Sequence, residues 1–151
     1  SALKHKFNER NLNDIWKDYS DEIENVASTG FYDVLGHPFN LRLFKNIPEK
    51  RDVDNLLEKT AKILKENNMI VDVNTGTLHR YPIEEITPYP DFMEYVKKYN
   101  IPVILTSDAH QPEHVGMKIK EAAEYVKKYG INEIVTFDRR KRPIYKTFRR
   151  V

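Results

Sequence analysis

The stretch Val103-Ile104-Leu105-Thr106-Ser107-Asp108-Ala109-His110 is an apolar, β-branched run that ends in an Asp-x-His sequence. Such a run predicts a buried strand over residues 102–107. Side chains two positions apart on an extended chain point the same way, so Asp108 and His110 can converge if that conformation continues past Ser107. A converging carboxylate and imidazole are half of a metal site. The alternative is that Asp108 caps the next segment and His110 is an ordinary loop histidine.

Strands and helices alternate on both sides of this stretch. Amphipathic periodicity predicts helices, and short apolar runs predict further strands. We expect helices over residues 9–29, 54–67, 90–99 and 114–128, and strands over residues 32–37, 69–74 and 133–137. Residues 75–90, with a glycine and several prolines, predict an irregular loop. The order predicts four parallel strands covered by helices, either as an open doubly wound α/β sheet or as part of a (β/α) barrel.

The composition excludes several classes of protein. The 151 residues include 25 Lys and Arg against 23 Asp and Glu, so no overall field attracts a polyanion, and the length suits one domain or part of one. Without cysteine, a bound metal must be held by histidine and carboxylate, which favours Zn, Mn or Fe. No apolar run could span a bilayer and no signal peptide begins the chain, so we expect a cytoplasmic protein without membrane contact.

Polar residues collect at the carboxyl ends of the predicted strands. His37 ends the first strand, Asn74 ends the second, and Asp108 and His110 follow the third. The carboxyl ends of parallel strands are where α/β folds build their sites. Three strands that each deliver a polar residue to this edge favour a functional site over the capping alternative. We expect His79, by contrast, to be a loop histidine and not a ligand.

Several of these motifs, in this order, resemble the later motifs of the PHP (polymerase and histidinol phosphatase) family, and its histidinol-phosphatase branch most of all. The resemblance covers residues 31 to 143. It rests on Asp33 to Pro38, on Val73 to Gly76 leading through Arg80 and Pro82 to Pro88, on Thr106 to His110 with Val115 and Gly116, and on Phe137 with Arg139, Arg140 and Lys141.

The resemblance implies part of a distorted seven-stranded (β/α) barrel with two or three divalent metal ions at its strand ends. Such a site hydrolyses a phosphomonoester such as histidinol phosphate, a reaction of histidine biosynthesis. By position, His37, Asp108 and His110 match metal ligands, and Asp108 and His110 are the matched catalytic pair. Arg42 and Arg80 match arginines that hold the substrate phosphate, with Asn74 beside them. Asp72 stands where the family commonly has Glu.

The departures from the family pattern concern its first half. The family opens with a His-x-His pair and adds further ligands, whereas His5 has no histidine two positions on. A barrel of this kind needs roughly 250 residues. We therefore expect residues 1–151 to be the C-terminal portion of a PHP-type metallophosphoesterase domain, weakly active or inactive alone. Its partners would be a small phosphomonoester and the missing N-terminal half of the barrel, or a second chain.

Two alternatives belong to other functional classes. Arg139-Arg140-Lys141-Arg142 and Arg149-Arg150 form a basic tail, which would suit a nucleic-acid-related role. Only the tail is basic and no aromatic platform accompanies it, so we expect no nucleic-acid partner. A scaffold role is the other alternative, because a partial barrel exposes strand edges and apolar helix faces.

Overall fold

The computed structural model describes residues 10–44, 47–81, 84–138 and 141–148. Its α-helices are α1 Leu12–Ser28, α2 Lys50–Glu66, α3 Thr77–Arg80, α4 Pro90–Lys98 and α5 Ile119–Lys128, with 3₁₀ helices at Asn40–Phe44 and Pro112–His114. Its strands are β1 Val34–Leu35, β2 Ile70–Asn74, β3 Val103–Thr106, β4 Glu133–Asp138 and β5 Lys141–Thr147. His5, Pro82, Arg139, Arg140, Arg149 and Arg150 lie outside the described residues.

Strands β1, β2 and β3 form a parallel sheet in that order. Val34 pairs with Ile70, Val71 with Val103, and Asn74 with Thr106. Because the strands are parallel and joined through helices, their carboxyl ends meet at one edge. The prediction of a parallel α/β arrangement, with His37, Asn74 and Asp108 at the same end of the sheet, is confirmed.

The prediction of a fourth parallel strand is wrong. Strand β4 exists, but it pairs antiparallel with β5, with Thr136 opposite Ile144. Only two residues separate the strands in the sequence, which suits a hairpin, whereas a parallel pair needs a long crossover. The sequence reasoning treated residues 138–151 as a charged tail, although Ile144, Tyr145 and Thr147 are strand-forming residues. No closed barrel forms within the described part of the chain.

Three predicted elements have other boundaries, and one of them, the helix expected over residues 54–67, begins earlier, at Lys50. The first strand covers only Val34–Leu35, because His37 has a φ of 27° and Pro38 cannot continue a ladder. The helix expected over residues 114–128 begins at Ile119, because Gly116 and Lys118 have left-handed φ angles of 75° and 59°.

The loop expected over residues 75–90 is more regular than predicted. It contains the short helix α3, and Thr87 then bridges back to Asn74 through two backbone hydrogen bonds of 2.7 and 3.2 Å. These bonds return the chain to the carboxyl end of β2. The loop is therefore hydrogen-bonded to the carboxyl edge of the sheet, where the polar residues lie.

The core joins the helices to the parallel sheet. Trp16 of α1, Leu57 and Leu64 of α2, and Val71 and Val73 of β2 belong to one buried cluster. Such burial stabilises the fold by roughly 25 cal/mol per Å² of apolar surface. None of the described helices combines the length and the apolarity that crossing a bilayer requires.

Candidate functional site

Asp72 connects the ends of all three parallel strands. Its side chain is 5% exposed. Its Oδ2 accepts hydrogen bonds from the backbone N–H of His37 at 3.2 Å and from Asn74 Nδ2 at 3.0 Å, and its Oδ1 accepts one from Thr106 Oγ1 at 2.7 Å. One carboxylate therefore joins the segment after β1 to the last residues of β2 and β3.

Both polar atoms of the Asn74 side chain form hydrogen bonds within the protein. Its Oδ1 accepts from the backbone N–H of Gly76 at 2.7 Å, while its Nδ2 donates to Asp72. Asn74 itself is buried. The side chain predicted to contact substrate thus supports Asp72 and shapes the turn into α3.

Gly76 allows this turn to lie against Asp108. A Cβ at position 76 would lie 2.8 Å from both Cβ and Oδ2 of Asp108 and 2.9 Å from Asn74 Oδ1. These distances are too short for carbon contacts, so the packing of the turn on Asp108 requires glycine for reasons of space.

The substitution Gly76→Ala should lower the free energy of unfolding by about 1–3 kcal/mol, because overpacking at such a site forces side chains or backbone to move. Gly36→Ala is the matched control, since a Cβ there has nothing within 4 Å. Chemical denaturation of both variants measures the difference. Equal stabilities for the two variants would show that the contacts around position 76 relax at no cost.

Arg80, Asp108 and His110 come together at the carboxyl end of β3. Arg80 Nη2 donates to Asp108 Oδ2, and Arg80 Nη1 lies 2.5 Å from His110 Nδ1 and 2.8 Å from His110 Nε2. The side chains of Arg80 and Asp108 are 21% and 19% exposed, whereas His110 is 62% exposed. The structure therefore brings three of the predicted site residues into one group.

The alternative in which Asp108 caps the following segment does not describe the structure. Gln111 precedes the 3₁₀ helix Pro112–His114, and Asp108 accepts its side-chain hydrogen bond from Arg80. Asp108 has a left-handed φ of 49°, a conformation that Asp and Asn adopt more readily than most residues. The turn at this position aims the carboxylate toward Arg80 and His110.

Asp108 and His110 are close together, and a carboxylate and an imidazole are both side chains that can bind a divalent metal ion. Asp108 Oδ1 and His110 Nδ1 are 3.8 Å apart. His110 Nδ1 also lies 2.9 Å from the backbone carbonyl oxygen of Asp108, which only accepts hydrogen bonds, so Nδ1 carries the hydrogen and Nε2 holds the lone pair of the neutral ring. No group of three or more His, Asp or Glu side chains that could hold a metal occurs among the described residues, so the imidazole of His37 does not join this pair here.

The side chain of Arg42 lies in a different environment from the group of Arg80, Asp108 and His110. It donates to Asp91, and its guanidinium carbon lies 5.6 Å from the ring of Trp16 and 4.9 Å from that of Tyr89. Its side chain is only 11% exposed. Burial raises the pKa of the Tyr89 phenol, Glu85 adds to that rise, and the charge of Arg42 opposes it. None of the contacts recorded for Arg42 within the described residues joins it to Arg80.

Sequence reasoning underestimated Asp72 and did not identify the neighbours of His79. The signal for Asp72 was present, because a carboxylate inside an apolar strand, two residues before Asn74, faces the same side as that polar residue. His79 Nε2 lies 3.0 Å from the backbone carbonyl of Ser107, and its ring packs on that of His114. No local pattern links His79 with His114, which are 35 positions apart.

Comparison with known proteins gives a partial match. No family model matches the chain. The chain is 31% identical over 118 residues to a protein from Deinococcus radiodurans described as a probable histidinol-phosphatase. The match covers 78% of this chain and 44% of that protein, so the chain spans less than half of the relative's length. The similarity supports a histidinol-phosphatase-like relationship.

Proposed function

We propose that this chain is the C-terminal portion of a metal-dependent phosphomonoesterase of the PHP type, acting on a small phosphomonoester such as histidinol phosphate. The observation that carries the proposal is the group of Arg80, Asp108 and His110 at the carboxyl edge of parallel strands. The similarity to a probable histidinol-phosphatase supports the same class of reaction.

The proposed metal ligands are Asp108 and His110, and His37, which follows β1 at the same edge of the sheet, is proposed as a ligand of the complete site although its imidazole does not join that pair in this structure. Zn, Mn or Fe suits this combination of imidazole and carboxylate. When bound, such a metal supplies positive charge that activates water and stabilises the charge of a phosphoryl group. The remaining ligands of a site with two or three ions would come from the missing N-terminal half of the barrel or from a second chain.

The proposed role of Arg80 is to orient the substrate phosphate. Its guanidinium lies against Asp108 and His110, and an arginine binds phosphate oxygens through two parallel N–H bonds. Arg42 is the second proposed phosphate ligand. Its Nε is buried and has no hydrogen-bond partner among the described residues, so it is a donor that the contacts within this chain leave unused. Asn74 supports this arrangement through Asp72 and Gly76.

In the full-length protein, Arg80→Ala should raise KM for a phosphomonoester about 10- to 100-fold, because a charged hydrogen bond contributes about 1.5–3 kcal/mol. Arg80→Lys should recover part of the loss, since Lys retains the charge but not the planar fork. The exposed Arg51→Ala is the control. Steady-state kinetics test this, and an unchanged KM in Arg80→Ala would make Arg80 an ordinary ion-pair residue.

The fragment proposal is tested by comparing the 151-residue chain with a longer protein that includes the upstream region. We expect release of phosphate from histidinol phosphate, with Mn or Zn added, to be weak or absent for the chain and strong for the longer protein. Strong turnover by the chain alone would contradict the fragment part of the proposal. An inactive longer protein, loaded with metal, would contradict the phosphatase assignment.

A further inference from the structure

Two histidines that the proposed phosphatase chemistry does not use pack against each other beside the candidate site. His79 lies in α3, and His114 is the last residue of the 3₁₀ helix Pro112–His114. Their ring centroids are 4.6 Å apart and the ring planes are inclined by 54°. The two side chains are partly buried.

The contact between His79 and Ser107 fixes the tautomer of the His79 ring. His79 Nε2 lies 3.0 Å from the backbone carbonyl oxygen of Ser107. A carbonyl oxygen only accepts hydrogen bonds, so Nε2 carries the hydrogen and Nδ1 of the neutral ring presents a lone pair. Histidines that bind metals generally donate their other N–H to a carbonyl or carboxylate in this manner.

The Nδ1 atoms of both histidines are buried and have no hydrogen-bond partner among the described residues. Buried polar atoms without a partner are uncommon in folded proteins, and each one requires an explanation. Here two of them belong to rings that touch each other. An ion bound by both Nδ1 atoms, with His114 in the same tautomer as His79, would satisfy the two nitrogens together.

The segments that carry the two histidines are fastened to each other. The backbone N–H of Gly116 donates to Ser107 Oγ at 3.0 Å, and Thr75 Oγ1 donates to the carbonyl of Met117 at 2.7 Å. These bonds hold the segment after His114 against the ends of β2 and β3. The segment that carries His114 is therefore followed by residues that are hydrogen-bonded to the ends of the strands.

We propose that His79 and His114 form a binding site for a late first-row transition metal ion such as Zn²⁺, separate from Asp108 and His110. Imidazole nitrogens suit zinc, copper and nickel, whereas magnesium and calcium require oxygen ligands. An ion held by both Nδ1 atoms would lie about 2.0–2.1 Å from each of them. Two protein ligands leave coordination positions open to water or to a further ligand.

The most direct test observes the imidazole nitrogens of the ¹⁵N-labelled chain by NMR while Zn²⁺ is added. Without metal, we expect His79 to show the tautomer protonated at Nε2. With equimolar Zn²⁺, the Nδ1 signals of both His79 and His114 should shift together. If neither Nδ1 signal moves at a tenfold excess of Zn²⁺, the pair encloses water or shares a proton and the proposal is wrong.

Variants separate this site from the proposed phosphatase site. His79→Gln and His114→Gln should each remove the Zn²⁺-dependent shift of the remaining histidine. The double variant Asp108→Asn with His110→Gln should leave the shifts of His79 and His114 in place. If instead that double variant abolishes the shifts, the ion belongs to the Asp108 group and the separate site does not exist.

Discussion

In the full-length protein, Asp108→Asn should reduce phosphomonoester hydrolysis by at least about 100-fold, with little change in thermal midpoint. Replacing residues that merely orient metal ligands already costs about 10- to 100-fold, so loss of a ligand should reach the upper end of that range or exceed it. Asn has nearly the same size as Asp and tolerates the φ of 49°, so the turn should persist. The amide retains an oxygen for Arg80 but binds a metal more weakly.

The control for this experiment is Asp138→Asn, which removes one carboxylate at an exposed position on β4. It should leave both activity and midpoint unchanged. If Asp108→Asn lowers the midpoint and retains full activity, the carboxylate stabilises the fold through Arg80 and takes no part in the reaction.

The substitution Asp72→Ala should lower the free energy of unfolding by about 2–4 kcal/mol. The carboxylate accepts hydrogen bonds from His37 N–H, Asn74 Nδ2 and Thr106 Oγ1, and Ala leaves all three donors without it. Each buried group that loses its hydrogen-bond partner lowers the free energy of unfolding by about 1–3 kcal/mol. Water can reach the partly buried donors, so the total loss is smaller than the sum of three such terms. Denaturant-induced unfolding measures the change.

Thr106→Val is the matched comparison for Asp72→Ala, because it removes one donor and keeps the shape of the side chain. It should lower the free energy of unfolding by about 0.5–1.5 kcal/mol. The double variant should cost less than the sum of the two single variants, since both remove the same hydrogen bond. Strict additivity, or a loss below 1 kcal/mol for Asp72→Ala, would mean that Asp72 does not join the three strand ends.

The parallel sheet was predictable because its signals are local and repeated. The apolar runs ending at Asn74 and Thr106 have the length and composition of buried strands, and α1 and α2 show strong helical periodicity. The partner of β4 was not predictable in this way. The charged residues Lys141, Arg142 and Lys146 concealed the strand propensity of β5, and pairing depends on contacts that a single strand does not encode.

The location of the candidate site was predictable from the sequence, but its side-chain contacts were less so. Polar residues at strand ends identified the edge where Arg80, Asp108 and His110 meet. The partner of Arg42 was not foreseen, because Asp91 lies 49 positions away and is brought close only by tertiary packing, in which the ring of Phe39 contacts that of Phe92. His37 and Asp108 also have left-handed φ angles. Their side chains therefore point in directions that the alternating pattern of a β-strand does not predict.

The metal content of the full-length protein tests the central proposal most directly. It should be measured by elemental analysis for the wild type, for Asp108→Asn and for His110→Gln after the same purification. Any ion held by His79 and His114 contributes equally to all three, so the difference reports the Asp108 group alone. We expect the wild type to carry more Zn, Mn or Fe than either variant. Equal metal content in all three proteins would contradict the assignment of Asp108 and His110 as metal ligands.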